Sequence, residues 1–230
     1  DLAYPPLRLV LEDLCPPENT ALLRRVTVSN PGPAHFRGAF LHYFDLRLGE
    51  LSGKQAVRWD AQQGHMLQYF RDIVLCLGGT PPDMWRAGRS LDPAGPQSAK
   101  EDMRDGHLNG QPEDIGQVDF AVGYHLDLAP GEERVLELFL GAEENHYRTS
   151  TQMQELTRHG YARYREERVE EDRRWLGRGI PLSPLDAGAD ALARGTLPRT
   201  AGESEELKVP QQKWEAVYER ALLSLRLLVD

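Results

Sequence analysis

Apolar residues before Thr149 recur in short runs that alternate with polar residues and are separated by turn-forming segments. A period of two places successive side chains on opposite faces of a β-strand. The clearest case, residues 36–48, puts one largely aromatic set on a single face: Phe36, Phe40, His42, Phe44, Leu46 and Leu48. By the same criterion we predict strands over residues 7–14, 21–29, 36–48, 57–60, 66–77, 118–128 and 134–140.

The last two predicted strands flank a Pro-Gly turn at residues 130–131, which predicts a hairpin that closes the sheet region. The connection over residues 80–116 is long, polar and irregular, and such connections are usually functional or disordered. Trp85 within it indicates an ordered, packed loop. Because no helical pattern separates the evenly spaced strands, we expect an antiparallel β-sandwich rather than a βαβ fold.

A helical pattern replaces the strands from Thr149 onwards. Ser150 or Thr151 is placed to cap a helix that runs to about Leu176. Charges cover most of this helix, and its apolar stripe is sparse: Met153, Leu156, Tyr164 and Trp175. A Gly- and Pro-rich linker over 181–209 precedes a second amphipathic helix over 211–229. We therefore divide the chain into a sandwich over 1–147, a linker helix and loop over 148–210, and the start of another unit over 211–230.

Composition and charge narrow the class of partner. The 230 residues are 40% hydrophobic and 27% charged, which is ordinary for a soluble globular protein, and the net charge is −9. An acidic chain of this kind argues against a nucleic-acid partner. No apolar run approaches the roughly 18–20 residues that span a bilayer, so we expect no membrane association.

Two further features concern the compartment and the ends of the chain. Cys15 and Cys76 are far apart in sequence, so small buried apolar residues are a simpler interpretation than a disulfide or a metal site. That interpretation favours a reduced, cytoplasmic location. The chain starts at Asp1 and stops at Asp230 after an apolar run, so we expect that both ends continue in a longer polypeptide.

Residues that could carry chemistry do not form a recognisable set. The acidic candidates in and after the long connection are Asp102, Asp105, Glu113, Asp114 and Asp119. No pair among them stands out as the two carboxylates of a glycosidase, so solvated loop acids are the simpler interpretation. His42 on the apolar face is interpreted as a core histidine bonded to a backbone carbonyl. His107 and His125 lack partners at zinc spacing. We therefore predict no catalytic residue, no metal site and no cofactor in this chain.

Four aromatic residues offer a different kind of site. The rings of Tyr43, Trp59, Tyr69 and Trp85 are large enough to stack on the apolar face of a pyranose. Packing inside or at the edge of the sandwich is the simpler interpretation of the set. Trp85, in the long connection, remains the candidate substrate-binding residue.

The order of several segments resembles glycoside hydrolase family 15 and related proteins, which include prokaryotic glucoamylases, glucodextranases and trehalase-like enzymes. RRVTVSNPGPAHFRGAFLHYFDLRLG is similar to a strand–turn–strand segment of that family's N-terminal sandwich, and GHLNGQPEDIGQVDFAVGYHLDLAPGEERVLELFLGAEEN is similar to its final segment. VYERALLSLRLLVD resembles the first helix of the family's (α/α)6 barrel. The resemblance spans most of residues 7–230.

The resemblance implies a galactose mutarotase-like super-sandwich, then linker helices and the first helix of an α/α barrel. The implied activity is that of an inverting exo-acting α-glucosidase of glucoamylase type on α-glucans or related α-glucosides. The family's general acid and general base are glutamates on later barrel loops, and no position in this chain matches either. The implied partner, an α-glucan or oligosaccharide, would therefore bind through a barrel absent from this chain, with the sandwich as support.

Three other interpretations stay open. Disaccharide phosphorylases share the sandwich-and-barrel architecture and use phosphate as the nucleophile. A stand-alone carbohydrate-binding sandwich with a helical stalk is a second alternative. The third makes the sandwich itself catalytic, as in galactose mutarotases, with His125 and Glu137 as the first pair to test.

Overall fold

The computed structural model describes residues 7–17, 19–49, 54–90 and 97–178, together with Arg220. Within these residues every strand pairing is antiparallel. The strands are β1 (Arg8–Leu14), β2 (Ala21–Ser29), β3 (Phe36–Phe44), β4 (Gln55–Asp60), β5 (His65–Phe70), β6 (Ile73–Gly79), β7 (Met84–Arg89), β8 (Glu113–Gly116), β9 (Val118–Leu128) and β10 (Glu133–Glu143). The helices are α1 (Ala99–Asp102), which continues into a 3-10 turn (Met103–Asp105), and α2 (His146–Leu176). The predicted mainly β, antiparallel fold is confirmed.

The strands form two sheets that share one core. The large sheet has the order β1-β2-β10-β6-β5-β4-β8, and the small sheet has the order β3-β9-β7. Every second side chain of the strands points into the space between the two sheets. Val26 and Leu136 from the large sheet pack there with Phe120 and Tyr124 from the small sheet. Each sheet therefore buries one face against the other, as in a β-sandwich.

Helix α2 covers the outer face of the large sheet. Met153, Leu156 and Tyr161 of the helix are buried in a second cluster with Leu23 and Phe139 of the sheet. The helix is broken at Gly160, where φ is 72° and ψ is 166°. Tyr161, five residues after Leu156, would leave the buried face of a straight helix, and the break returns it there. The sequence pattern missed this residue for that reason.

The start of α2 differs from the prediction. The Asn145 side-chain oxygen accepts a hydrogen bond from the backbone N–H of Arg148 at 3.0 Å, so Asn145 is the N-terminal cap. Ser150 and Thr151 lie inside the helix instead. The predicted cap was wrong because Ser150 and Thr151 are also capping residue types, and they follow the true cap, Asn145, by less than two helical turns.

Two predictions of strand connections are also wrong. Residues 66–77, predicted as one strand, belong to β5 and β6, which pair through a tight turn at Arg71 and Asp72. Arg71 has a φ of 56°, and this left-handed conformation reverses the chain. Residues 80–116 are more regular than predicted, because β7, α1 and β8 all lie within them. Trp85 belongs to β7 and not to a loop.

The predicted closing hairpin is wrong in its pairing. β9 lies in the small sheet and β10 in the large sheet, so the segment at Pro130 and Gly131 crosses between the sheets. The connection from β2 to β3 crosses beside it, and buried Asn30 joins the two. Its side-chain amide donates to the carbonyls of Ala34 at 2.8 Å and Leu128 at 3.0 Å.

The chain divides into two units, Asp1–Arg168 and Val169–Asp230. The first holds the sandwich and the greater part of α2. The described part of the second consists of the end of α2, the two residues after it and Arg220. The predicted linker over 181–209 and the predicted helix over 211–229 otherwise lie outside the described residues.

Candidate functional site

A segment over residues 97–112, which we call the cover, lies on the outer face of the small sheet and holds three of the residues considered for chemistry, Asp102, Asp105 and His107. Asp119 of β9 points into this cover and is only 1% exposed. Its carboxylate accepts hydrogen bonds from Ser98 Oγ at 2.6 Å, from the backbone N–H of Ala99 at 3.0 Å and from the Tyr43 hydroxyl at 3.1 Å. Burial and the nearby Asp119 carboxylate together raise the pKa of Tyr43, which keeps that hydroxyl a donor. Asp119 therefore fastens the cover to the sheet.

The cover lies so close to the sheet that Gly88 has no room for a side chain. A Cβ atom at Gly88 would collide with the Asp119 carboxylate and with the backbone nitrogen of Ala99. Arg86, two residues earlier on β7, is buried and faces Asp102 at 3.4 Å. Asp102 also accepts from the backbone N–H of Asn109 at 3.0 Å. These contacts fix both ends of the cover.

The remaining acidic candidates have structural or solvated positions. Asp114 accepts two hydrogen bonds from the Arg89 guanidinium, at 2.9 and 3.1 Å. Asp105 accepts from the backbone N–H of His107, and Glu113 is exposed on β8. Each described carboxylate of the set thus either stabilises the local chain or faces solvent. The arrangement is suited to holding the cover in place.

One side of the sandwich is closed by the end of this cover. Gly110 donates from its backbone to Trp85 O at 3.0 Å, and Ala87 donates to Gln111 O at 2.9 Å, so residues 110–111 extend the edge of the small sheet. The following residues join the large sheet, because Trp59 donates to Pro112 O at 2.6 Å and β8 pairs with β4. A single segment therefore connects the edges of both sheets, and we call this edge the closed side.

Trp85 takes part in that closure. Its ring stacks on Trp59, with centroids 4.4 Å apart and planes inclined by 15°. Both rings are half-buried and pack against the core between the sheets. The Trp85 indole N–H is buried and has no hydrogen-bond partner among the described residues. A ligand or a neighbouring domain that offers an acceptor there would satisfy it.

The four aromatic candidates do not assemble into one platform. Only Trp59 and Trp85 stack on each other. Tyr69 lies on the outer face of the large sheet, beside the cluster under α2. Tyr43 lies on the outer face of the small sheet, bonded to Asp119. The simpler interpretation, that these rings pack the sandwich, matches their positions.

The mutarotase-like pair is separated by the sandwich. In the strand register, His125 shares the outer face of the small sheet with Asp119, and its ring is exposed. Glu137 shares the outer face of the large sheet with Arg25 and accepts from the backbone N–H of Tyr161 at 3.2 Å. Two sheets lie between them, so this pair cannot act on one substrate.

His42 occupies the predicted apolar face of β3. Its ring stacks on Phe44 with centroids 4.5 Å apart and lies edge-on to Phe40 at 6.0 Å. Within the described residues it makes no hydrogen bond to a backbone carbonyl, so that part of the prediction is wrong. Burial, helped by the positive charge of Arg24, lowers the pKa of His42 to about 4. The ring is therefore neutral at physiological pH.

The two cysteines behave differently from each other. Cys76 is buried as predicted, and burial raises the pKa of its thiol to about 12. Cys15 is exposed, so its predicted burial is wrong. The Pro-Pro sequence after Cys15 ends β1, which leaves this residue just outside the packed strand.

A polar groove that the sequence did not indicate lies at the beginning of α2. It has a volume of about 410 Å³ and is lined by Asn19, Thr20, Glu143, Tyr147, Arg148, Thr151, Gln152 and Glu155. Buried Gln152 organises the groove, because its amide donates to Asn19 Oδ1 at 2.8 Å and to Thr20 Oγ1 at 3.0 Å. Tyr147 presents a largely exposed ring at the rim. No sequence motif links these residues, since they come from two distant segments.

Within the described residues, no group of three or more His, Cys, Asp and Glu side chains could hold a metal ion. No helix in the same part of the chain is long and apolar enough to cross a bilayer.

Comparison with known proteins identifies the fold. No protein-family model matches the sequence, and no curated protein matches it. Among solved structures, a bacterial glucoamylase complexed with acarbose matches 72% of this chain with a TM-score of 0.57 and 8% identity. A protein described as a kojibiose phosphorylase from the human microbiome matches 71% of this chain with a TM-score of 0.40 and 9% identity.

The match to the glucoamylase defines the fold of this chain and no more. The fold is a β-sandwich that resembles the N-terminal domain of glucoamylase-like proteins. The matched region is about a quarter of the solved glucoamylase, at 24% of that chain, and 21% of the second protein.

Proposed function

We propose that this chain is the non-catalytic supporting sandwich of an inverting, exo-acting α-glucosidase of glucoamylase type that acts on α-glucans or related α-glucosides. The observation that carries the proposal is the backbone likeness to the bacterial glucoamylase over 72% of the chain. The order of the sequence segments that resemble family 15 supports it independently. The described carboxylates agree with a supporting role, because Asp102, Asp114 and Asp119 each hold neighbouring segments of the chain together.

The chemistry of the proposed reaction fixes what the rest of the enzyme must supply. An inverting glycosidase needs one carboxylic acid to protonate the leaving oxygen and one carboxylate to activate a water. The two groups stand roughly 6.5–9.5 Å apart so that the water fits between sugar and base. In the proposed protein both belong to the barrel, and the sandwich supports that barrel.

The test is an assay of the complete polypeptide that contains this chain. We expect it to hydrolyse maltose or maltooligosaccharides without added phosphate and to release β-glucose first, observed by NMR at early times. Cleavage that requires phosphate and yields glucose 1-phosphate would instead identify the disaccharide phosphorylase alternative. Release of α-glucose as the first product would contradict the inverting mechanism.

Trp85 is the residue of the sandwich that we propose contributes to the substrate side of that enzyme. Its buried indole N–H without a described partner supports the proposal. We expect Trp85→Phe in the complete protein to raise KM for oligosaccharides, because the donor is lost while the stacked ring remains. Trp59→Phe, the same change in the other ring of the stack, is the matched control. Unchanged kinetics together with unchanged stability in Trp85→Phe would exclude the role.

The polar groove favours a second function for the sandwich, direct binding of a sugar. The side chains of Asn19, Glu143 and Glu155 offer planar donors and acceptors suited to vicinal hydroxyls, and the exposed Tyr147 ring offers an apolar face. We expect maltooligosaccharides to perturb the Tyr147 signals in NMR titration, and Tyr147→Ala to abolish the binding. Tyr69→Phe, outside the groove, is the control. No perturbation at millimolar sugar would exclude this function.

A further inference from the structure

The edge strand β1 carries the longest exposed apolar run among the described strands. Leu9, Val10 and Leu11 are consecutive and are 46%, 37% and 48% exposed. β1 lies at one end of the large sheet, so among the described residues one of its backbone edges has no strand beside it. A long apolar edge strand with free N–H and C=O groups is a template for pairing with another strand.

The inner face of β1 continues the core of the sandwich. In the register with β2, Leu9 lies opposite Val28 and Leu11 lies opposite Val26, and both valines are fully buried. The inward-facing side chains are therefore buried on β2 and about half exposed on the neighbouring strand β1. A strand added beside β1 would bring Leu9 and Leu11 into the core as well.

Several features that protect edge strands are missing here, although β1 carries three charged residues, Arg8, Glu12 and Asp13. Residues 8–14, RLVLEDL, contain no proline and no lysine, and the pairing with β2 is continuous from Arg8 to Leu14 without a bulge. The opposite edge of the sheet differs in length, because β8 has only four residues. β1 is therefore the edge that is open to a partner.

The sequence of β1 is complementary to itself in one antiparallel register. When two copies of the strand are centred on Val10, Arg8 of each copy lies opposite Glu12 of the other, and Leu9 lies opposite Leu11. Opposite charges and apolar side chains in directly facing positions each stabilise a strand pair. Centring on Leu11 instead would set Leu9 against Asp13 and Val10 against Glu12, which loses both kinds of match.

We propose that β1 pairs antiparallel with β1 of a second copy of this chain, in the register centred on Val10. The two large sheets then form one continuous sheet across a two-fold axis, and the interface is the same surface on both copies. Leu9 and Leu11 complete the inner layer of the interface. On the outer face Val10 meets its counterpart, and the Arg8–Glu12 pairs flank the axis on both sides.

The experiment is sedimentation equilibrium of the 230-residue chain over a range of concentrations, with three kinds of variant. We expect the unsubstituted chain to associate to a dimer at micromolar concentration. Val10→Lys should raise the dimer dissociation constant by at least roughly tenfold, because two ammonium groups meet at the axis. Ile115→Lys on β8 makes the same change at a residue that is 71% exposed, and should leave the association unchanged.

Charge reversal tests the register and the identity of the partner. Arg8→Glu and Glu12→Arg should each weaken the dimer by roughly threefold or more, because two symmetry-related pairs become repulsive. The double variant restores opposite charges and should recover the affinity. Circular dichroism and urea unfolding check that every variant is folded.

Three results would overturn the proposal. The first is a chain that stays monomeric at every concentration. The second is equal disruption by Val10→Lys and Ile115→Lys. The third is a dimer whose double charge-reversal variant is no tighter than the single variants, which would place the contact in another register or on another surface.

Discussion

The two long sides of this sandwich differ in whether the edges of the two sheets are covered by a connecting segment. On the closed side, residues 110–116 connect β7 of the small sheet to β4 of the large sheet, and the Trp59–Trp85 stack lies beneath them. On the other side, which we call the open side, β1 and β3 are both edge strands. Leu9 and Leu11 face inwards there and still remain about half exposed.

The difference shows where stability and where association reside. A segment that pairs with the edges of both sheets satisfies their backbone hydrogen bonds, so the closed side contributes to the stability of the fold. A side with unpaired edges and half-buried apolar residues contributes less to folding and has more to gain from a partner. We therefore expect substitutions on the closed side to affect folding and those on the open side to affect association.

The largest loss of stability is expected from Asp119→Ala. Removal of the carboxylate leaves the donors of Ser98, Ala99 and Tyr43 without their acceptor in a buried place. We expect the free energy of unfolding to fall by about 3–4 kcal/mol, measured by urea unfolding. Asp127→Ala removes an exposed carboxylate that contacts His35 and Arg37, and should leave the free energy of unfolding nearly unchanged. Equal losses in the two variants would refute the role of the closed side.

The second-largest loss of stability is expected from Trp85→Ala. The substitution removes the ring that stacks on Trp59 and leaves a cavity at the wall of the core, and we expect a loss of about 3 kcal/mol. Trp85→Phe keeps part of the contact and should lose less. The measurement is the urea midpoint at constant slope. A loss below about 1 kcal/mol for Trp85→Ala would mean that the stack does not support the sandwich.

Acid should destabilise the open side through His42. Burial lowers its pKa to about 4 from the ordinary 6.5, so between these values the unfolded chain binds a proton that the folded chain does not. The contribution of neutral His42 to the free energy of unfolding is fully present above pH 6.5 and is lost as the pH falls towards 4. After allowance for partial exposure, we expect this loss to be roughly 1–2 kcal/mol. We expect His42→Phe to remove this part of the pH dependence. A variant with the same pH profile as the parent would contradict the assignment.

The smallest effect on folding is expected from Leu11→Ala. A side chain that is 48% exposed gives up little buried area, and we expect a loss of less than about 1 kcal/mol at a concentration low enough to keep the chain monomeric. The same variant should weaken association at higher concentration. A decrease in the free energy of unfolding as large as that for Trp85→Ala would show that Leu11 is already buried within a single chain.

The sequence predicted the strands better than their connections. Alternation over 21–29 and 118–128 located β2 and β9 with their bounds, because one buried face imposes a period of two. The same alternation cannot say which sheet a strand joins, so the crossing at Gly131 looked like a hairpin. The turn at Arg71 was missed because its left-handed backbone occurs in a residue that carries no turn signal.

The candidate site was predicted only in part. Trp85 was identified as an ordered aromatic residue, and its stacking on Trp59 depends on β4 and β7 meeting across the sandwich. The groove beside α2 joins residues more than a hundred positions apart, for example Gln152 with Asn19 and Thr20. Contacts of that kind follow from the topology, which the local pattern does not encode.

Hydrogen exchange, followed peptide by peptide at low and high protein concentration, tests the contrast between the two sides most directly. The account predicts that peptides over 84–90 and 97–119 are protected equally at both concentrations, since the closed side is complete within one chain. Protection of the peptide that contains residues 8–14 should be weak at low concentration and rise at high concentration. Strong protection of β1 that does not depend on concentration, or rapid exchange across residues 110–116, would contradict it.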